Sequence, residues 1–468
     1  MKGMTLKSMA VATNGIYYGS KDIEDCEVVS ITTDSRKIEK NGLFIAIKGE
    51  RSDGHDYIEG CFDAGALCVI SEKELPDAKG AYIKVESSLQ ALKDLALLYR
   101  NNLPKLKVVG ITGSVGKTST KETIYSVLST KYNTLKTLGN FNNEIGLPLT
   151  IFRITEDTEI AVLEMGISDF GEMSRLAKIA KPDVAVITNI GYCHLENLGT
   201  RDGVLKAKTE IFDYLKEDGR VILNGDDDKL QTVVEVKGSK PIFFGNGNAN
   251  DIYADNIVSL GLDGTEFVMH NVNAADGVTD FKVKVEVPGE HMVNNCLAAA
   301  AVATRFGLTS KEIIEGIAKL ETIAGRNNII RTDKLTIIDD CYNANPVSMK
   351  ASIDVLSMSI TRRVAILGDM FELGEDEKQL HLEVGQYIAD KNIDVIITIG
   401  ELASSIHEGL KDALIKKKML ASKELNHFNT KEEFKEKFNE IIKVKDSILV
   451  KASHGMHFET IVSDLQEY

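Results

Sequence analysis

The run Thr112-Gly113-Ser114-Val115-Gly116-Lys117-Thr118-Ser119 follows the apolar segment Val108 to Thr112 and opens a helical pattern from Lys117 to Ser129. No other feature constrains the fold as much, because a strand that passes into a helix through a glycine-rich turn belongs to a mostly parallel sheet covered by helices. Such a turn is also a phosphate cradle. Glycines let backbone N–H groups point inward, the helix start adds the positive end of its dipole, Lys117 can reach outer phosphates, and Thr118 can offer a hydroxyl to Mg²⁺. The match to G-x-x-x-x-G-K-[ST] is offset, since Ile111 stands where the first glycine belongs and Gly110 lies one residue early. An ordinary strand-to-helix turn with an exposed lysine is the plainer alternative, but the flanking elements favour nucleotide binding by Gly113, Ser114, Val115, Gly116, Lys117, Thr118 and Ser119.

The alternation continues through Ile160 to Glu164, Glu172 to Ala180, Val184 to Thr188, a helix from about Arg201, and strands at Val221 to Leu223 and Ile242 to Phe244. Residues 252 to 287 alternate like antiparallel strands, with Phe281, Val283, Val285 and Val287 on one side, and predict a small β appendage; helices His291 to Arg305 and Ser310 to Leu320 follow. Upstream, the strands Leu43 to Ile47, Leu67 to Ile70 and Ala81 to Val85 and the helix Ser88 to Arg100 end at Pro104, which cannot continue a helix. A second alternating region starts near Asn328, with strands at Leu335 to Ile338, Arg363 to Leu367, Val395 to Ile399 and Ile448 to Val450. No G-x-G-x-x-G follows its first strand, which argues against a nicotinamide cofactor. The 468 residues suit about three domains. The expectation is an α/β chain with an N-terminal domain over 1–105, a central ATPase-like domain over 106–327 and a C-terminal Rossmann-like domain over 328–468.

Lys plus Arg number 55 against 70 Asp plus Glu, a net charge of −15, which argues against a broad grip on nucleic acid or anionic lipid. An anionic ligand must bind in a local pocket. The six cysteines form no C-x-x-C pair, so zinc binding and thiol exchange are not expected. Lys2 and Lys7 imitate a signal peptide's start, but the apolar run Met9 to Ala12 is too short, and Cys296 to Ala303 falls far below the ~20 residues of a membrane span. A cytoplasmic protein is expected.

Glu164 closes an apolar strand, where a carboxylate can face the phosphate loop as a Walker-type acid does for Mg²⁺; a solvated strand end is the alternative. His194 lies just past the next strand and is a second candidate ligand, although a lone histidine is more often structural.

Together, TGSVGKTST (Thr112–Thr120), GNFNNEIGLPLT (Gly139–Thr150), LEMG (Leu163–Gly166) and NIGYCHLENLGTRDGVLKAK (Asn189–Lys208) resemble the Mur ligases, ATP-dependent amide-forming enzymes of peptidoglycan synthesis. The resemblance spans nearly the whole chain. Thr33 to Arg36, Leu43 to Ala46 and Asp53 to Asp56 are similar to the family's UDP-sugar domain, Pro288 to His291 with Asn295 to its adenine-side helix, and Gly325-Arg326 to the end of its central domain. Asp339 to Pro346 and Leu367 to Gly374 look most like the branch that adds D-alanyl-D-alanine. The Asp-Asn-Pro-Arg string expected of the diaminopimelate-adding branch is absent, and folylpolyglutamate synthases lack the N-terminal pattern.

The resemblance implies that ATP phosphorylates the carboxylate ending a UDP-N-acetylmuramoyl-tripeptide and that D-alanyl-D-alanine then displaces the phosphate. It implies two Mg²⁺ ions, one near Thr118 and Glu164 and the other near His194, with Lys208 carbamylated by CO₂ as a further ligand. Lys117, Lys208, His194 and Glu164 become the catalytic set. Asn295, Arg326 and Asp340 become nucleotide contacts, with a salt bridge at a domain boundary as the alternative for the last two. Ser35, Arg36, Asn142, Asn143, Asn343 and Asn345 become substrate contacts, although Asp34-Ser35-Arg36 also reads as a bland turn. From composition alone Lys208, like Lys206, reads as a solvated helix lysine; the resemblance reverses this. Three departures from the family pattern stand out: Met292 replaces an Asn, Cys193 an Asp, and Lys451-Ala452-Ser453-His454 the commoner Lys-Gly-Ser-Arg. A monomer is expected, with no nucleic-acid partner. The competing functions are another Mur-type or folylpolyglutamate-synthase-like ligase and a nucleotide-gated regulatory protein.

Overall fold

Strands that are buried on both faces read as continuous apolar runs, and Leu43-Phe44-Ile45 and Cys68-Val69-Ile70 are of this kind, each residue at most 1% exposed. In the computed structural model, which describes residues 1–50 and 52–468, they form the middle of a five-stranded sheet ordered Ile16–Tyr18, Ala81–Lys84, Cys68–Ser71, Leu43–Ile45, Ile31–Thr32. Its four later strands run parallel, and Ile16–Tyr18 is antiparallel at the edge. Helix Ser88–Asn101 follows, with Ser87 Oγ accepting the Gln90 N–H at 3.2 Å.

The second sheet has nine strands in the order Phe281–Val285, Thr265–His270, Ile252–Ser259, Ile242–Asn246, Arg220–Asn224, Val184–Ile187, Lys107–Thr112, Ile160–Glu164, Thr134–Lys136. The β appendage expected over 252–287 is instead a continuation of this sheet. Ile252–Ser259 pairs parallel with Ile242–Asn246 before the chain turns antiparallel through Thr265–His270 and Phe281–Val285. The alternation buries Thr265, Phe267 and Met269, and helix Glu290–Arg305 packs against these strands.

The third sheet is ordered Asn328–Arg331, Thr336–Asp339, Ser447–Lys451, Arg363–Gly368, Val395–Ile399, Glu424–Phe428, all parallel except its first strand. Its residues sort by the two-residue period. Ile338, Ala365, Leu367, Ile396 and Leu449 enter one core, and Ile337, Val364, Ile366, Ile397 and Ile448 enter the other.

The five strands that the sequence reading omits, Ile16–Tyr18, Ile31–Thr32, Thr134–Lys136, Asn328–Arg331 and Glu424–Phe428, are all sheet edges. An edge strand is paired on one side only and is commonly kept short or polar, so it carries little hydrophobic pattern. By compactness the chain divides into two units: Met1–Thr112 with Tyr132–Val186 and Ala207–Val221, and Gly113–Lys131 with Ile187–Lys206 and Ile222–Tyr468.

Candidate active site

In the second unit the glycine-rich loop is tied to the segment after Ile187. Asn189 accepts the Ser114 N–H on its carbonyl (3.0 Å) and the Val115 N–H on Oδ1 (2.9 Å). The Val115 carbonyl accepts from Thr188 Oγ1 (2.6 Å) and Asn189 Nδ2 (2.9 Å), and Ser114 Oγ accepts the Gly191 N–H (2.8 Å). Two glycines make the path possible. A Cβ on Gly113 would lie 1.9 Å from Thr188 Oγ1, and Gly116 takes φ 82° as the cap of helix Lys117–Leu128 without any side-chain hydrogen bond to the helix start. Lys117 is half-buried and donates from Nζ to the Gly113 carbonyl at 2.7 Å, so the loop's own oxygen holds the ammonium where a phosphate oxygen would compete for it. Thr118 is 3% exposed and Ser119 partly so.

The glycine reading needs one correction. Gly110 is not a displaced loop residue. It lies inside strand Lys107–Thr112, where a Cβ would come within 2.7 Å of the Met165 methyl, so its role is packing and Gly113 is the loop's first glycine.

Beside this loop lies a cleft lined by Thr118, Ser119 and Glu122 and by Met292, Arg326 and Asn327. The Arg326 guanidinium sits 4.0 Å from the centroid of the Tyr342 ring, and among the described residues no carboxylate pairs with it. Its planar donors thus remain available to an anion entering the cleft. Asn295 is 7% exposed; its Oδ1 accepts from Thr120 Oγ1 at 2.8 Å and its Nδ2 points at Met292 Sδ, 3.2 Å away. Asp340 is committed within the protein: Oδ1 accepts the Asn327 N–H (2.9 Å) and Oδ2 accepts from Lys451 Nζ (2.6 Å) and from Ser352. The ion-pair alternative therefore describes Asp340 as it stands, and it holds the backbone next to Arg326. Lys451, 2% exposed, also donates to the Asn343 carbonyl at 3.1 Å. The sequence reading gave Lys451 no role; a lysine at the end of the apolar strand Ile448 to Val450 was the available signal.

His194 takes a left-handed conformation (φ 50°) at the start of the short helix Leu195–Leu198, with Nδ1 3.4 Å from Glu372 Oε2. Cys193 Sγ lies 3.2 Å from Ser114 Oγ, so the departure before His194 contacts the phosphate loop. His454 packs its ring against Tyr342, centroids 5.2 Å apart. Asn345 caps helix Pro346–Ser357 through the Ser348 N–H (2.9 Å), and Asn343 Oδ1 accepts from Ala344 N–H (2.9 Å). As placed, both side-chain oxygens accept local backbone N–H groups.

In the first unit Glu164 is 2% exposed and faces Ile111 in the sheet register, two residues before Gly113. Asn142 donates from Nδ2 to Glu164 Oε1 at 2.9 Å, so its contact is with the proposed metal carboxylate. Asn143 Oδ1 accepts the Gly146 N–H (2.8 Å) at the start of helix Gly146–Ile151. Lys208 is 1% exposed while Lys206 is exposed, which rules out a solvated role for Lys208. Ser35 is half-buried in the turn Ser35–Lys37. The exposed Arg36 closes back on Asp34 through two hydrogen bonds (2.8 and 2.9 Å), holding that carboxyl at about 2, below the usual carboxylate range. Among the described residues no three His, Cys, Asp or Glu side chains converge as a ready metal cage.

Comparison with known proteins agrees with this arrangement. The chain matches the Mur ligase family catalytic domain over residues 27–100, the Mur ligase middle domain over 111–303 and the Mur ligase glutamate ligase domain over 325–454. It is 40% identical over 468 residues to the UDP-N-acetylmuramoyl-tripeptide–D-alanyl-D-alanine ligase of Bacillus subtilis, covering 99% of this chain and 98% of that one. With the enzyme of the same name from Escherichia coli it shares 34% identity over 471 residues, at 100% and 99% coverage. A crystal structure of MurF from Acinetobacter baumannii superposes with a TM-score of 0.88 at 33% identity, covering 99% of both chains. MurF from Thermotoga maritima in complex with ADP gives 0.81 at 31%, covering 94% of this chain and 97% of that one. The chain belongs to the Mur ligase family, in its three-domain α/β architecture and as a MurF-like, ATP-dependent ligase.

Proposed function

We propose that this protein joins D-alanyl-D-alanine to UDP-N-acetylmuramoyl-tripeptide, with ATP converted to ADP and phosphate, in the synthesis of peptidoglycan precursors. The observation that carries the reading is the juxtaposition, in one cleft, of the phosphate loop's Thr118 and Ser119 with the guanidinium of Arg326. A nucleotide seated there meets a helix start at one side and a planar cation at the other.

The tripeptide carboxylate attacks the γ-phosphorus, and the bond to the β,γ-bridging oxygen breaks, leaving ADP and an acyl phosphate. The D-alanyl-D-alanine amine then attacks the acyl carbon, loses a proton and expels phosphate. Two anions must meet in the first step, so the protein's task is to place positive charge. Lys117 exchanges the Gly113 carbonyl for a phosphate oxygen, and Arg326 offers its donors to the same chain of phosphates. Neither step requires a nucleophilic side chain.

The donors fit Mg²⁺, which prefers hard oxygen ligands: a threonine hydroxyl at 118, the buried carboxylate of Glu164, and His194. Mg²⁺, when bound, neutralises phosphate charge. We keep Thr118, Glu164 and His194 as the proposed Mg²⁺ ligands. Lys208 is a further ligand as its carbamate, for a buried ammonium beside metal ions would be repelled while a carbamate supplies an anionic oxygen. Ser35 and Arg36 remain the candidates for UDP-sugar contact, in a first domain that we end near residue 105, with the central domain ending near 327. Among the described residues no helix is long and apolar enough to cross a membrane.

The test is omission of each substrate in turn. ADP release should require both the UDP-tripeptide and D-alanyl-D-alanine in steady state. ADP release indifferent to D-alanyl-D-alanine would favour a nucleotide-gated switch.

A further inference from the structure

Arg326 is held from three directions. The backbone N–H groups on either side of it are fixed by consecutive carboxylates: Gly325 N–H donates to Asp339 Oδ2 at 2.6 Å and Asn327 N–H donates to Asp340 Oδ1 at 2.9 Å. The Gly325 carbonyl accepts the Tyr342 N–H at 3.0 Å. The side chain then lies 4.0 Å from the centroid of the Tyr342 ring. Gly325 is required for this approach, since it takes φ 79° and a Cβ there would press within 3.1 Å of Tyr342 Cβ.

An arginine side chain has several rotatable bonds, and leaving it free costs order at the moment of binding. Here the main chain is fixed while the guanidinium keeps its hydrogen-bond donors unspent, and the remaining freedom is limited by the aromatic face. We propose that Tyr342 is a positioning residue: it holds the Arg326 guanidinium by a cation–π contact in the orientation that meets the terminal phosphate of ATP. Stacking on the ring leaves the edge of the guanidinium open to phosphate oxygens, which a carboxylate partner would not. His454 adds a second ring against Tyr342 at 5.2 Å and limits the tilt of the phenol. The inference rests on the assignment of Arg326 to the nucleotide.

The experiment compares equilibrium binding of a non-hydrolysable ATP analogue and of ADP to the full-length protein carrying Tyr342→Leu, Tyr342→Phe, Arg326→Ala, or Arg326→Ala with Tyr342→Leu. Loss of a cation–π contact predicts that Tyr342→Leu binds the ATP analogue ~3-fold to ~30-fold more weakly, with ADP affinity little changed. Tyr342→Phe keeps the ring and should recover the analogue's affinity. In the Arg326→Ala background, Tyr342→Leu should add no further loss. A Tyr342→Leu protein that binds the analogue normally, or that loses analogue and ADP alike, overturns the positioning role. So does an additive loss in the double variant. If Arg326→Ala itself leaves analogue affinity unchanged, the assignment of Arg326 to the nucleotide fails, a result distinct from the others.

Discussion

Asn142 donates from Nδ2 to Oε1 of Glu164 at 2.9 Å, which fixes the rotation of a carboxylate that is 2% exposed. A residue expected to touch substrate is thus placed to orient the carboxylate that we propose as a metal ligand. Partners of this kind commonly change metal affinity by roughly 10-fold to 100-fold when removed. Asn142→Ala should raise the Mg²⁺ concentration for half-maximal activity within that range, with saturating Mg²⁺ restoring part of the rate. An unchanged Mg²⁺ titration would separate Asn142 from the metal.

Lys117→Ala should abolish ADP and acyl-phosphate formation, a loss of at least about 100-fold, because the ammonium offsets charge in phosphoryl transfer. Its Nζ donates to the Gly113 carbonyl of its own loop, and the variant should remain folded. Calorimetry beside the rate assay checks both halves. A folded variant with near-normal ligation would remove the phosphate-loop assignment.

Gly113→Ala tests the close approach of loop and strand end. The new Cβ would fall 1.9 Å from Thr188 Oγ1, so that the Thr188 bond to the Val115 carbonyl must break or the loop must shift. The expected cost is about 1–3 kcal/mol in denaturant titration, accompanied by weaker ATP-analogue binding. Unchanged stability and affinity together would show that the loop is looser than its hydrogen bonds imply.

If Lys208 carries the proposed carbamate, Lys208→Ala should lose most activity, and a small carboxylic acid in the medium should return part of it by occupying the position the carbamate would leave. Lys208 is 1% exposed, and helix Arg201–Thr209 carries the exposed Lys206 only two residues away as an internal control. Lys206→Ala should retain the wild-type rate. Full activity in Lys208→Ala, or no rescue by any small acid, would speak against the modification.

Much of this site was legible in the sequence because its parts end apolar strands. The loop follows Val108 to Thr112 and Glu164 closes Ile160 to Leu163, whereas Lys451, which closes Ile448 to Val450 in the same way, was passed over. What could not be read was which polar side chains are spent on the fold. Asn143 and Asn345 are asparagines in motif strings, yet Asn143 Oδ1 accepts the Gly146 N–H and Asn345 caps helix Pro346–Ser357, and nothing in a string shows such local bonds. Asp340 is expected to contact the nucleotide, and its oxygens also accept from Lys451, Ser352 and the Asn327 N–H, segments far apart in sequence. The edge strands escaped for the opposite reason, since pairing on one side imposes almost no pattern on five residues such as Glu424–Phe428.

The most direct test is the product itself. The protein would be incubated with ATP, D-alanyl-D-alanine and UDP-N-acetylmuramoyl-tripeptides ending in lysine or in diaminopimelate, with free glutamate and free diaminopimelate as rival acceptors, and the products read by mass spectrometry. The predicted result is a UDP-muramoyl-pentapeptide from at least one tripeptide, formed with D-alanyl-D-alanine only and matched mole for mole by ADP. An adduct with a free amino acid, or ATP consumption without any new amide, would contradict the assignment.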